Sequence, residues 1–334
     1  MKKVLLVSVL VFLFGVSALA GTVTVVDQTG RTVRVTQPVT RVASIYGIST
    51  YYVYALGAQD KLVMAGYIGV RSADKAPRAL RAIDPDLAKK ISFGSPNVEE
   101  IASLSPDLVL SNPLKDKGIA PLLTELGIPT IEYVPESLDK VKEAMLLTGK
   151  VLGGDADTRA QAFARDYDRI IAEVSKAMSG KAPISVYFCG TNKLRVASGD
   201  MYQTEMIELA GGRSVSKNLK GYWNNVNLEQ VLSWNPQVIV IAPYGKVTPN
   251  DILNDPDWQS ITAVKSGRVY KMPRVIAPWD APVPDSLVGI LWLAEVLHPG
   301  AVSLDLAAEF KNFYSTYYGY NLSEEEVAQL LPPR

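Results

Sequence analysis

The chain has 334 residues, and its 34 Lys and Arg residues balance 34 Asp and Glu residues. With no long basic run, this balance argues against a nucleic-acid partner. One cysteine and one histidine leave no material for a disulfide framework, a thiolate metal cluster or a metal site built from several imidazoles.

The N-terminus has the pattern of a secretory signal peptide. Lys2 and Lys3 precede the apolar run 4–16 and the sequence Ala18-Leu19-Ala20. That run is too short to cross a bilayer, which takes roughly 20 apolar residues. We therefore predict that residues 1–20 are removed and that the mature chain is periplasmic, with an uncleaved anchor as the alternative. No cysteine stands at the cleavage point, so we expect no lipoprotein anchor.

Short apolar runs alternate with helical patterns through the rest of the chain, which is typical of α/β layering with mostly parallel strands. The predicted strands are 23–26, 33–35, 41–45, 62–65, 108–110 and 130–133 in the first half, and 184–189, 194–197, 238–241 and 269–271 in the second. We interpret the halves as two doubly wound α/β lobes, residues 22–150 and 181–334.

Between the halves, the segment 155–178 contains no Gly or Pro and carries apolar residues at helical spacing. Either Asp155 or Asp157 is a suitable N-cap. A helix of this length spans roughly 35 Å. We predict that residues 151–180 form a rigid helix that joins the lobes, although an ordinary packing helix within one lobe would give the same pattern.

One passage occurs twice, 130 residues apart: "NVEEIASLSPDLVL" at 97–110 and "NLEQVLSWNPQVIV" at 227–240. Asn97 and Asn227 suit an N-cap, and a Glu or Gln three residues later suits a capping box. A proline then ends each helix before an apolar strand. The repeat therefore predicts the same helix, turn and strand in each lobe.

Capping leaves one glutamate in each copy without a role, Glu99 in the first and Glu229 in the second. A carboxylate in the first turn of a helix interacts favourably with the helix dipole. That effect accounts for either residue alone. It accounts less well for the presence of the same residue in both copies.

Taken together, these passages resemble the periplasmic binding proteins of ABC importers for vitamin B12, ferric siderophores and haem. The resemblance covers nearly the whole mature chain and includes "TVVDQTGRTVRVTQPVTRVAS", "LLTELGIPTIEY", "AVKSGRVYKMP" and "WLAEVLHP" besides the repeat. It implies two α/β lobes joined by a single long helix, with a ligand cleft between them, and an ABC permease dimer with its ATPase as partner. It also implies that Glu99 and Glu229 dock on arginines of the permease.

Ligands of doubly wound lobes bind beyond the carboxyl ends of the strands, which places the ligand in the cleft. The candidate residues in strand-end loops are Tyr46, Gly47, Tyr67, Arg71, Ser95 and Asn112 from the first lobe, and Thr191, Asn192, Tyr202, Trp223, Tyr244, Arg274 and Trp279 from the second. We favour Trp279 among the second-lobe aromatics because prolines flank its loop. Asp280 beside it is interpreted as a turn cap.

These aromatic rings and two arginines suit a large, flat or anionic ligand. We expect an iron complex, either a ferric siderophore or a haem-like chelate, with a corrinoid and molybdate or tungstate as alternatives. We predict a monomer with no resident metal or cofactor. An enzyme that uses carboxylates is disfavoured, because the chain lacks G-x-S-x-G, G-x-x-x-x-G-K-[ST] and G-x-G-x-x-G motifs.

Overall fold

The computed structural model describes residues 21–92, 94, 96–116 and 118–332. The predicted signal peptide and the candidate Ser95 lie outside the described residues. The strands are β1 (Thr22–Val26), β2 (Thr32–Thr36), β3 (Val42–Ser44), β4 (Leu62–Ala65), β5 (Leu108–Ser111), β6 (Thr130–Glu132), β7 (Ile184–Cys189), β8 (Arg195–Ala197), β9 (Gly212–Ser214), β10 (Trp223–Asn225), β11 (Val238–Ile241) and β12 (Val269–Lys271).

The helices alternate with these strands along the chain. They are α1 (Gly47–Ala55), α2 (Arg78–Ile83), α3 (Leu87–Lys90), α4 (Val98–Ser103), α5 (Ile119–Glu125), α6 (Leu138–Leu152), α7 (Asp155–Met178), α8 (Tyr202–Leu209), α9 (Leu228–Trp234), α10 (Pro249–Leu253), α11 (Thr262–Lys265), α12 (Ser286–Leu297), α13 (Leu306–Tyr318) and α14 (Glu324–Leu330). None of the helices in the described ranges is long and apolar enough to cross a membrane.

Two larger sheets follow an antiparallel hairpin of β1 and β2. The first is parallel, in the order β4-β3-β5-β6. The second has the order β10-β8-β7-β11-β12, with β9 on β7, and its strands β8 and β10 run antiparallel to their neighbours. The α/β fold with two sheets is confirmed. The strands β9 and β10 were not predicted, because "GRS" and "WNN" carry no apolar pattern.

The long helix α7 forms over residues 155–178 of the predicted range 151–180, whereas Val151 and Leu152 belong to α6. Its buried stripe, which includes Phe163, Tyr167 and Val174, packs against α6 on the first-lobe side and against α8 and α12 on the other. The predicted cap was wrong, since Gly154 occupies the N-cap position without a side-chain bond. Asp155 and Asp157 lie in the first helical turn instead, where the dipole favours a negative charge.

Helix α13 packs against both α12 and the first-lobe helix α1. Arg159 of α7 strengthens this junction by donating to the carbonyl oxygens of Tyr317 at 2.8 Å and Ala55 at 3.3 Å. One apolar core cluster accordingly contains residues from both sheets. Two smaller clusters lie under the repeated helices, one around Ile101 and one around Val231.

Candidate ligand-binding cleft

A cavity of about 590 Å³ lies between the two sheets, at the carboxyl ends of the first sheet. The loop that follows each strand of the first sheet lines the cavity. Tyr46 and Gly47 follow β3, the loop 66–71 follows β4, Lys115 and Asp116 follow β5, and Glu136 follows β6. The second lobe contributes Met201, Gln203, Tyr222, Trp223, Tyr244, Ala281 and Pro282.

Hydrogen-bonded hydroxyls shape the turn between β3 and α1. Ser49 Oγ donates to the Tyr46 carbonyl at 2.7 Å, and Thr50 Oγ1 donates to Ser44 Oγ at 2.8 Å. The helix therefore begins at the cavity, with Gly47 and Ile48 in its lining. The positive end of the α1 dipole faces any bound ligand.

The two lobes touch at the edge of this cleft. Gly69 has φ +67°, and a Cβ atom built on it would lie 2.8 Å from Cβ of Tyr244, so no larger residue fits without displacing the second lobe. The Tyr52 hydroxyl donates to the carbonyl of Pro282 at 2.7 Å. The cleft is thus bounded by direct contacts between the lobes.

Charges of both signs line the cavity. Arg71 and Lys115 are exposed, and the Lys115 ammonium lies 5.1 Å from the ring centre of Tyr222 in the other lobe. Desolvation by burial raises the pKa of both Asp116 and Glu136. The lining offers donors and acceptors together, without a strong excess of one charge.

Behind the lining, a buried chain of hydrogen bonds holds Tyr67. Its hydroxyl is 2.8 Å from that of Tyr54, which donates to Asp84 Oδ2 at 2.5 Å. Lys90 pairs with the Asp84 carboxylate at 2.9 Å. The position of Tyr67 at the cavity is therefore fixed by an ion pair inside the first lobe.

Tyr244 has an equivalent partner in the second lobe. Its hydroxyl donates to Asp280 Oδ2 at 2.8 Å, and the amide of Gln203 donates to the same oxygen at 3.3 Å. Asp280 is fully buried, and desolvation raises its pKa to about 6. The interpretation of Asp280 as a turn cap is wrong, since its carboxylate is an internal acceptor that orients two residues of the cleft.

Six of the predicted ligand residues line the cavity: Tyr46, Gly47, Tyr67, Arg71, Trp223 and Tyr244. Six others with described positions do not: Asn112, Thr191, Asn192, Tyr202, Arg274 and Trp279. The strand-end argument identified loops that border the cavity more often than side chains that line it.

Trp279, the favoured aromatic, is a core residue. It has no exposed surface, its indole N–H donates to the Tyr314 hydroxyl at 2.6 Å, and its ring packs edge-on against Phe310 at 5.0 Å. Tyr202 is likewise buried, and its hydroxyl donates to Ser286 at 2.8 Å. Both side chains point inward because their polar atoms have partners in the interior.

Three of the remaining residues outside the lining, Asn112, Asn192 and Arg274, have hydrogen-bond partners in their own turns or in other elements. Asn112 donates to the Tyr133 carbonyl at 2.7 Å and accepts from the backbone of Leu114. Asn192 accepts from the backbone of its own turn, and the Arg274 guanidinium donates to the Tyr51 hydroxyl at 3.2 Å. No signal in the local sequence separates these polar residues from those that face the cavity.

Sequence reasoning missed six polar or aromatic residues of the lining: Ser92, Lys115, Asp116, Glu136, Gln203 and Tyr222. A usable signal existed for four of them. Lys115, Asp116 and Glu136 follow predicted strands, and Tyr222 precedes the chosen Trp223. Gln203 lies in the first turn of α8, which the predicted strands do not indicate.

The model of a protein family, the periplasmic binding proteins, matches residues 42–275. This chain belongs to the periplasmic binding protein family. The molybdate-binding protein MolA of Haemophilus influenzae is 26% identical to this chain over an alignment of 355 residues, gaps included. The alignment covers 98% of this chain and 99% of the relative. The vitamin B12-binding protein of Yersinia pestis is 28% identical over 219 residues, 62% of this chain and 70% of the relative.

A solved periplasmic solute-binding protein from Veillonella parvula has the same fold. Its TM-score is 0.81 at 29% identity, over 93% of this chain and 97% of that structure. The resemblance inferred from the sequence is confirmed. The protein is therefore a substrate-binding component that works with an ABC permease and its ATPase, and not an enzyme. Its family implies a periplasmic location.

Proposed function

We propose that this protein captures a metal complex, an iron chelate of the ferric siderophore or haem-like kind, and delivers it to its ABC permease. The observation that carries the proposal is the cavity of about 590 Å³ with aromatic rings from both lobes. That volume lies in the range of sites for small organic ligands, roughly 300–1,000 Å³, and far exceeds a single tetrahedral oxyanion. Within the described ranges, no group of three or more His, Cys, Asp or Glu residues could hold a bare metal ion.

Molybdate or tungstate is the second candidate, because the relative named for molybdate binding aligns with nearly the whole chain. The start of α1, with Arg71 and Lys115, would supply positive charge for an oxyanion. The relative named for vitamin B12 aligns with a smaller part of the chain, and we place a corrinoid third.

Thermal unfolding in the presence of candidate ligands tests this proposal. A ligand at 100 times its Kd stabilises the folded state by about 2.7 kcal/mol. For a chain of this size we therefore expect a rise in Tm of several degrees, at roughly 2–4 °C per kcal/mol. The panel comprises ferric siderophores, haemin, cobalamin, molybdate and tungstate.

A pair of tryptophan variants provides the control. Trp223→Ala, inside the cleft, should reduce the ligand-dependent rise in Tm. Trp234→Ala, on α9 and outside the lining, should leave that rise unchanged. If no iron complex raises Tm and an oxyanion does, the metal-complex proposal is wrong and the second candidate replaces it.

We also propose that Glu99 and Glu229 dock on the permease. Both lie in the first turns of the repeated helices and are exposed, and neither makes an ion pair with any residue that the structure describes. Glu99 borders an outer groove of about 830 Å³ that also contains Leu122 and Leu126, which are 49% and 59% exposed. Exposed carboxylates beside an apolar surface suit a partner that carries arginines.

The remaining proposals concern the state of the receptor. The helix α7 and the contact of α13 with α1 should restrict the lobes to small movements. We propose that the receptor is a monomer, exported with a cleavable signal peptide.

A further inference from the structure

We propose that the cleft recognises its ligand through acceptor oxygens of Tyr67, Gln203 and Tyr244, so that the bound complex presents N–H or O–H donors to these residues. This inference rests on the proposed function and specifies the ligand further. It follows from the direction of the hydrogen bonds behind the cavity, which are independent in the two lobes.

In the second lobe, the hydroxyl proton of Tyr244 is committed to Asp280. An ionised carboxylate can only accept, and a phenol has a single proton to donate. The 2.8 Å bond to Asp280 Oδ2 therefore uses that proton. Any polar contact between Tyr244 and a ligand uses the phenol oxygen as an acceptor.

Gln203 is oriented by the same carboxylate. Its amide nitrogen donates to Asp280 Oδ2, which leaves the amide oxygen toward other partners. The residue is 3% exposed and lines the cavity, and its Oε1 atom has no hydrogen-bond partner among the described residues. A buried acceptor without a partner costs free energy, so a ligand donor that reaches this oxygen would stabilise the complex.

In the first lobe, two successive hydrogen bonds leave the Tyr67 oxygen as an acceptor in the same way. The Asp84 carboxylate pairs with Lys90 at 2.9 Å and accepts the proton of Tyr54. The Tyr54 oxygen can then only accept from Tyr67, at 2.8 Å. The phenol proton of Tyr67 is thereby committed as well, and its oxygen offers lone pairs alone.

The acceptor oxygens of Tyr67, Gln203 and Tyr244 distinguish oxyanions from organic metal complexes. A molybdate or tungstate ion presents only acceptor oxygens at neutral pH and would oppose them. A complex with ammonium, amide or coordinated amine groups satisfies them, while its anionic atoms can face the start of α1, Arg71 and Lys115. The cleft therefore favours an organic metal complex with donors on one side.

Phenylalanine substitutions test the inference with two opposed probes. Ferrioxamine B carries an ammonium group and amide N–H groups, and molybdate carries neither. In the wild type we expect ferrioxamine B to bind more tightly by calorimetry. Tyr244→Phe, and separately Tyr67→Phe, should weaken ferrioxamine B about tenfold and leave molybdate unchanged or tighter, because each variant removes one acceptor oxygen.

Tyr314→Phe is the matched control. Tyr314 also donates to a buried aspartate, Asp285, but does not line the cavity. It should change neither affinity more than about twofold. Circular dichroism of each variant establishes that it is folded, and the two test residues lie in different lobes, so one misfolded variant leaves the other informative.

Equal weakening of both probes in Tyr67→Phe and Tyr244→Phe would overturn the inference, as would unchanged affinities or tighter wild-type binding of molybdate. Ferric citrate separates this failure from that of the proposed function, since its outer surface carries acceptor oxygens. Tighter binding of ferric citrate than of ferrioxamine B would keep the metal-complex receptor and reject the acceptor cleft. If neither these two complexes nor any other iron complex of the thermal-unfolding panel binds, both proposals fail.

Discussion

The two copies of the repeated passage fold alike but are held in place by different chemistry. In each, the asparagine side chain accepts from the backbone N–H three residues on, Asn97 at 2.7 Å and Asn227 at 2.8 Å. In each, the residue before the proline has a left-handed backbone, with φ 46° at Ser105 and φ 41° at Asn235. The reciprocal half of the predicted capping box is seen in neither copy.

The copies differ in the side chain that follows the proline and links the turn by hydrogen bonds to a central strand, β3 in the first sheet and β7 in the second. Asp107 accepts from Thr40 and from the backbone of Arg41, just before β3. Gln237 accepts from Ser185 in β7. A charged acceptor serves in one lobe and a neutral one in the other, so folding tolerates variation at this position. The exposed glutamate is the same in both.

Removal of these acceptors should destabilise the two lobes unequally. Asp107→Ala leaves three donors without a charged acceptor, and we expect a loss of about 2 kcal/mol. Gln237→Ala removes a neutral acceptor of two bonds and should cost about 1 kcal/mol. Urea unfolding monitored by circular dichroism measures the loss of stability in both variants. Equal losses would contradict the difference between a charged and a neutral acceptor.

The same variants differ in their pH dependence. Desolvation by burial raises the pKa of Asp107, but hydrogen bonds from Thr40 and Arg41 outweigh it and hold this pKa below its ordinary value. The stabilisation is therefore complete above the unfolded pKa, about 3.9, and is lost as the pH falls through the lower folded pKa. The stability difference between the wild type and Asp107→Ala should shrink below about pH 4, whereas the Gln237→Ala difference should stay constant.

The left-handed residues offer a smaller contrast of opposite sign. Ser105→Gly should stabilise the protein by about 0.5 kcal/mol, because glycine adopts a positive φ without steric cost. Asn235→Gly should cost about 1 kcal/mol, since the Asn235 side chain also accepts from the backbone of Thr262 at 2.8 Å. Urea unfolding measures the change in the free energy of unfolding of each variant. A change of the same sign in both variants would contradict this account.

Much of the fold could be predicted because its signals are local. The extent of α7, the Asn97 and Asn227 caps and the apolar strands are each encoded within a short window. The left-handed turns at Ser105 and Asn235 were not predicted, since neither residue is glycine. The strands β9 and β10 are defined by their partners rather than by their own composition.

The cleft was predicted only in part because side-chain direction depends on distant partners. Trp279 turns inward to Tyr314, 35 residues further on, and Tyr202 turns to Ser286. Asp280 was expected to cap a turn and instead orients Tyr244 and Gln203. Strand order places the loops at the cavity, but long-range hydrogen bonds decide which residues face it.

The double substitution Glu99→Arg with Glu229→Arg tests most directly whether the repeat serves the permease. The matched control is Glu100→Arg with Gln230→Arg, which places the same new residues one position further along the same exposed helices. Uptake of the bound complex into vesicles that contain the cognate permease is measured alongside the ligand Kd. We predict that the Glu99 and Glu229 variant loses uptake with its Kd unchanged, while the control retains uptake. Normal uptake by the first variant, or equal loss in both, would contradict the docking role.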